Sequence, residues 1–224
     1  MIKASVLGSG SRGNAAYLQV DDRQYLFDCG FTKKQTIKRL AMIGKKLEDI
    51  EKIFITHDHK DHCAPWILKE NRVPGSLPKN IRQFPLSHDK ECVGYTITDN
   101  AGNKAIIAMD TGCISEEALK HFFYASMVLI ETNYDVEMLI NSPYPTVLQE
   151  RIASNTGHLR AECAAEVVGM VAWPGLKYVC ALHLSSTCIN PVLARFELES
   201  VVDRHACEVV ISEQGKPTQL MTVM

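Results

Sequence analysis

The run Thr56-His57-Asp58-His59-Lys60-Asp61-His62 constrains this chain more than any other feature, because three histidines and two aspartates follow directly on an apolar segment. Imidazole and carboxylate are ligands for zinc and its first-row neighbours. The preceding Lys52-Ile53-Phe54-Ile55-Thr56 reads as a buried strand. His57, His59, Asp61 and His62 cannot all share one face of a strand or one turn of a helix. A loop leaving the strand end can instead aim them at two points, and so at two ions. A solvated polar loop with chance histidines is the plainer reading, and it accounts poorly for five metal-competent residues among six.

With 224 residues, 46% hydrophobic and 22% charged, the chain has the size and apolar content of one globular domain spanning 1–224. A formal net charge of -2 argues against a broad basic surface that holds nucleic acid by charge alone, while leaving room for a local groove. The eight cysteines include no CxxC pair and read as free thiols. The N-terminus lacks the pattern of a secretory signal, and no apolar run is long enough to span a bilayer. These features predict a cytoplasmic protein that does not enter membranes. Oligomeric state is not readable from the sequence.

Short apolar runs at Ile2 to Leu7, Ala16 to Val20 and Gln24 to Asp28 predict adjacent antiparallel strands. Ile37, Leu40, Ala41 and Ile43 recur at helical spacing before Gly44. From Cys63 to Ser87 the chain is proline-rich and weakly periodic, which predicts one short helix and a loop. Strands over Val93 to Thr98 and Lys104 to Met109 flank a hairpin turn. Beyond a helix at Glu116 to Tyr124 come a strand at Met127 to Glu131 and helices at Met138 to Ser154 and Leu159 to Val171. Strand Tyr178 to Leu182, helix Pro191 to Val202 and strands at Cys207 to Ile211 and Gln219 to Val223 complete the reading. Strands and helices mix without strict βα alternation, which excludes a parallel barrel or doubly wound sheet.

Three more polar residues, His88, Asp110 and His183, stand where apolar segments end. With the histidine run they form a set that resembles the metallo-β-lactamase superfamily, whose HxHxDH run is matched by His57, His59, Asp61 and His62. Asp28 in LFDCG, His88 in SHDKECVGY, Asp110 in AMDTG and His183 in LHLS follow in the order of that superfamily's other motifs. Within it the chain looks most like the YycJ/WalJ type, on GSGSRGN (8–14), ETNYDVEML (131–139), SPYPTVLQERI (142–152) and GHLR (157–160).

The resemblance implies an α/β (α+β) fold, a four-layer αβ/βα sandwich with two mixed sheets. It implies one divalent metal on His57, His59 and His88 and a second on Asp61, His62 and His183, with Asp110 bridging; zinc and manganese both suit such ligands. A metal pair of this kind activates water for hydrolysis without a protein nucleophile. Asp61, Asp110 and His158 are thus the implied catalytic residues, His158 as donor of a proton to the leaving oxygen. Asp28 reads as a support that fixes an imidazole tautomer. The glycine-rich loop, with Ser11 and Asn14, reads either as a phosphate-binding turn or as a tight turn, and Arg160, Arg12 and Arg151 are candidate phosphate contacts. Glu131, Asn133 and Asp135 either orient ligands or, more simply, cap the helix after them. His121 and His205 belong to no motif.

His59 stands where the oxygen-reducing diiron branch has glutamate, and Asp110 where zinc β-lactamases have cysteine. Hydrolysis other than antibiotic cleavage is therefore the implied chemistry. The resemblance points to a phosphodiesterase acting on nucleic acid, specifically a DNA exonuclease. The alternative is a hydrolase of a small molecule such as a cyclic nucleotide, thioester or lactone. The twenty-five residues 63–87 look short for the family and predict a more open site.

Overall fold

The computed structural model describes residues 1–203 and 206–224, so His205 lies outside the described residues. β1 (Ile2–Gly8), β2 (Ala15–Val20) and β3 (Arg23–Phe27) form an antiparallel meander. Helix α1 (Lys33–Met42) then crosses to β4 (Lys52–Phe54), which pairs parallel to β3. Thr32 and Gln35 close α1 with a reciprocal capping box. Next come α2 (Pro65–Lys69), β5 (Ile81–Leu86), β6 (Cys92–Thr98), β7 (Lys104–Ala108), α3 (Glu116–Phe122) and β8 (Met127–Glu131). Helices α4 (Val136–Ile140), α5 (Thr146–Ala153) and α6 (Ala161–Val171) lead to β9 (Tyr178–Leu182). Helix α7 (Pro191–Ser200), β10 (Glu208–Ile211) and β11 (Met221–Val223) follow.

One sheet runs β11-β1-β2-β3-β4 and the other β10-β9-β8-β7-β6-β5, and both mix parallel and antiparallel neighbours. Apolar residues of both inner faces make one core, among them Ile2, Leu18, Phe27, Phe54, Tyr95, Ile107 and Leu129. The rings of Phe27, Phe54 and Tyr95 lie 5.0–5.9 Å apart, and full burial of each such side chain is worth about 1.5–3 kcal/mol. A second cluster packs α3, α6 and α7 on the outer face of the larger sheet, and a third packs α1 and α2 on the smaller. The result is the expected four-layer sandwich.

Three expectations need correction. Residues 81–86 form a strand, not loop: β5 is the edge of its sheet, so Pro85 sits opposite Val93 without interrupting a ladder on its outer side. Only Ile81 and Phe84 are buried, three residues apart, so Arg82, Gln83 and Pro85 on exposed positions leave no alternation to read in the sequence. The helix expected over Met138 to Ser154 is two helices, because Pro143 and Pro145 interrupt it and Pro145 starts the second. The strand expected to reach Thr56 stops at Phe54, since the Thr56 amide donates to the Asp28 carboxylate rather than to a neighbouring strand.

Candidate metal centre

Strand ends build the site. Asp28, Asp110 and His183 directly follow or lie one or two residues beyond β3, β7 and β9, and each holds a left-handed backbone (φ 55°, 54° and 51°). That conformation costs a non-glycine residue about 1–2 kcal/mol. It turns the chain sharply at the rim of each sheet and aims the three side chains inward. The Thr56–His62 loop leaves β4 beside them and is tied to the opposite sheet by Val93 N, which donates to Thr56 O, and by Tyr95 Oη, which donates to Ile55 O (2.6 Å).

All seven expected metal residues come together. Ligand atoms of His57, His59, His88 and Asp110 lie within 4.8 Å of one another, as do those of Asp61, His62, Asp110 and His183. Asp110 belongs to both sets: its Oδ2 lies 3.0 Å from His62 Nε2 and 3.5 Å from His57 Nε2, and its Oδ1 2.7 Å from His183 Nδ1. The buried His183 Nε2 has no hydrogen-bond partner. Ligand atoms converging in a buried space with an orphan among them fit a divalent cation, which replaces the missing partner.

The electrostatics follow from burial and proximity. Burial pushes the His57 imidazole down to about 4, aided by His62. Burial also pulls down on His62 and His183, but carboxylates outweigh it. Asp110 and Asp28 raise His62 well above its ordinary value, and Asp110 and Glu131 carry His183 up to about 10. Burial opposes ionisation of Asp110, yet His183 and His62 hold its carboxyl well below the usual range. A concentration of negative charge thus waits under the imidazoles.

Supporting contacts position the ligands. Asp28, fully buried, accepts from Thr56 N (2.8 Å), Thr56 Oγ1 (2.9 Å) and His62 Nδ1 (2.8 Å), leaving His62 Nε2 turned to Asp110. Gly30 lets two backbones meet here, since a Cβ on it would fall 1.8 Å from Asp61 O. His158 is brought in by α5 and the start of α6, and its Nδ1 lies 2.7 Å from Glu131 Oε1. The same oxygen lies 3.0 Å from His183 Nδ1, and Glu131 Oε2 accepts from Thr111 N and Leu159 N. Burial lowers and Glu131 raises the His158 imidazole, with a net rise.

Several polar residues take other roles than expected. Asp135 does cap α4, accepting from Met138 N, but Glu131 and Asn133 do not. Glu131 holds two histidines, and Asn133 Nδ2 donates to His183 O (2.6 Å). The one available signal for Glu131 was a carboxylate ending an otherwise apolar strand. Asn14, expected to touch substrate, has no exposed surface; it accepts from Ser9 Oγ and Gly10 N and its Nδ2 lies 2.9 Å from His62 Nε2, so it braces the metal loop. Amides of Ser9, Gly10, Arg12, Gly13 and Asn14 all bond within the protein, and Gly13 has φ +141°. The glycine-rich segment is therefore a tight structural turn rather than an open phosphate cradle. Ser11 is exposed at its tip. Arg160 is half-buried and pairs with Glu162, while Arg151 pairs with Asp89, whose Oδ1 lies 3.2 Å from His88 Nε2 and 3.6 Å from His59 Nε2. His121 lies away from the metal centre, stacked on Phe84 and bonded to Thr96.

This fold and this constellation define a metal-dependent hydrolase of the metallo-β-lactamase fold. The crystal structure of the metallo-β-lactamase fold protein YhfI from Bacillus subtilis superposes with a TM-score of 0.69 at 16% identity, covering 97% of this chain and 98% of that one. A family model described as Anti-Pycsar protein Apyc1 matches residues 7–65. Exodeoxyribonuclease WalJ of Streptococcus pneumoniae serotype 2 is 30% identical over 219 residues, covering 82% of this chain and 81% of its own. Exodeoxyribonuclease YycJ of Bacillus anthracis is 26% identical over 260 residues, covering 98% of each. The chain belongs to the YycJ/WalJ family.

Proposed function

We propose that the protein is a cytoplasmic phosphodiesterase that degrades DNA from strand ends with two divalent ions, zinc or manganese. The observation that carries this reading is the single Asp110 carboxylate set between two histidine groups, each with its own supporting contacts. The names of the WalJ and YycJ relatives supply the substrate class.

His57, His59 and His88 would hold one ion and Asp61, His62 and His183 the other, with Asp110 shared. When bound, such ions lower the pKa of water towards ~7 and offset negative charge on a phosphate. The remaining tasks fall to the chain itself. Asp28 and Asn14 keep the His62 ring in place, and Glu131 does so for His183. Asp61, partly exposed beside His62, orients the attacking water. Glu131 binds His158 through Nδ1, which leaves Nε2 to protonate the departing sugar oxygen. Ser11 and Arg160 contact the substrate.

Purified protein loaded with zinc or manganese should hydrolyse bis-p-nitrophenyl phosphate and shorten linear DNA progressively. RNA, cyclic nucleotides and a thioester serve as comparison substrates. Thioester turnover with no phosphodiester cleavage under either metal would overturn the reading in favour of small-molecule hydrolysis.

A further inference from the structure

The metal centre lies at one end of β5, β6 and β7; at the other end of the same strands is a depression of ≈ 650 Å³ whose lining is basic. Arg82 of β5 and Thr98 at the end of β6 contribute to it, with Lys104 at the start of β7, Lys79 ahead of β5 and Lys120 from α3. Four lysines and arginines around one hollow stand out in a chain of formal net charge -2.

A polar fringe where the core ends would also place cations here, but those cations would then be balanced locally, and among the described residues only Lys120 has an ion pair. Asp99 is the one carboxylate in the lining, and it is occupied. Its Oδ2 lies 2.6 Å from the Met1 ammonium and accepts from Asn103 Nδ2, while its Oδ1 accepts from Ala101 N and Asn103 N. Lys120 pairs with Glu117 in a largely exposed contact of little strength. Lys104 donates to the Phe123 carbonyl. Arg82 and Lys79 are exposed and form no ion pair among the described residues. Beside them, His121 stacks on Phe84 (4.5 Å, 20°) and lies 3.1 Å from Thr96 Oγ1, giving the hollow a rigid wall with a hydroxyl on it.

β5 is the edge strand, and it connects this hollow to the site. From Arg82 the chain runs extended through Leu86 and reaches His88 two residues later. At ~3.3 Å per residue the separation is roughly 15–20 Å, which is about four to six nucleotide steps at the ~3.4 Å axial rise of a stacked, B-form strand. Arg82, Gln83 and Pro85 leave that edge exposed along the way.

We propose that the hollow around Arg82 and Lys79 is a second phosphate-binding subsite that grips a nucleic-acid strand several nucleotides from the bond held at the metal centre. This rests on the nuclease reading and adds to it a grip on the strand away from the reacting end. Strand length is then sensed by affinity: a strand too short to span β5 forgoes these contacts.

The test measures binding without turnover. A fluorescent single-stranded 12-nucleotide DNA with phosphorothioate linkages is titrated with the metal-loaded protein by anisotropy, and a 4-nucleotide strand serves as the short comparison. The Lys79→Ala/Arg82→Ala variant should bind the 12-mer on the order of tenfold more weakly and flatten its salt dependence by about 1.4 in slope, two contacts at ~0.7 each. Its binding of the 4-mer and its kcat on bis-p-nitrophenyl phosphate should match the parent protein. Lys79→Arg/Arg82→Lys should retain 12-mer affinity. Unchanged 12-mer binding in the alanine variant, or equal weakening for both lengths, would overturn the subsite. A parent protein that cleaves no phosphodiester while the alanine variant still weakens 12-mer binding would remove the nuclease reading and leave the subsite standing.

Discussion

The two halves of the metal centre are built differently. His62 and His183 are at most 4% exposed, and Asp28, Glu131 and Asp110 contact them from fully or nearly enclosed positions, while their fellow ligand Asp61 is 29% exposed. In the other group His57 and His88 are as deeply buried and His59 is 28% exposed, but the carboxylate beside His59 and His88, Asp89, is 33% exposed and shared with Arg151, so this half is supported at the rim. The deep half is held by the protein in advance of any ion. The rim half, whose supporting carboxylate is exposed, depends more on its ion. The two groups thus differ in the burial of the carboxylates that brace them rather than in the burial of the ligands themselves.

The sharpest way to break this contrast is at the residue both halves share. Asp110→Asn should show the largest loss, removing hydrolysis and reducing bound metal in one step; full activity would refute a shared carboxylate. Next is His158→Ala, which should slow turnover about 10²–10⁴-fold, the range for a lost general acid, with metal content unchanged by elemental analysis. Loss of metal would instead make His158 a ligand. Asp28→Asn should weaken metal binding or activity by about 10–100-fold, because the His62 ring loses its orienting acceptor. Its rim counterpart, Asp89→Ala, should cost less than about tenfold, since an exposed carboxylate holds its partners weakly. Equal effects at Asp28 and Asp89 would abolish the distinction between deep and rim halves. The smallest effect is expected of Tyr95→Phe, which removes the hydrogen bond to Ile55 O and the one accepted from Gln83 Nε2 and should lower unfolding stability by about 1–2 kcal/mol in denaturant titration, leaving the rate nearly unchanged.

Much of the site was legible because its residues punctuate apolar strands. The Thr56–His62 run, Asp110 and His183 each break a hydrophobic segment where only turn or ligand chemistry explains a polar residue. The supports were harder to read. Glu131 sits four residues before the N-cap of α4, in a segment where capping is the commoner role, and only the packing of β8 between β7 and β9 reveals that it reaches two histidines. Asn14 belongs to a glycine-rich segment that suggests phosphate binding; that its amide points inward depends on Asp61 approaching across Gly30, a long-range contact. β5 was hidden for a different reason. An edge strand needs to bury only part of one face, so Arg82, Gln83 and Pro85 erase the alternation that marks inner strands. Those same exposed residues form the path on which the proposed second subsite depends.

The central claim is a hydrolytic centre completed by two ions on one chain. Metal-stripped protein titrated with manganese or zinc, with bound ions per chain and bis-p-nitrophenyl phosphate hydrolysis measured on the same samples, tests it most directly. Activity that rises with occupancy and levels off at two ions per chain is the predicted result; full activity at one ion, or none at any occupancy, would contradict it.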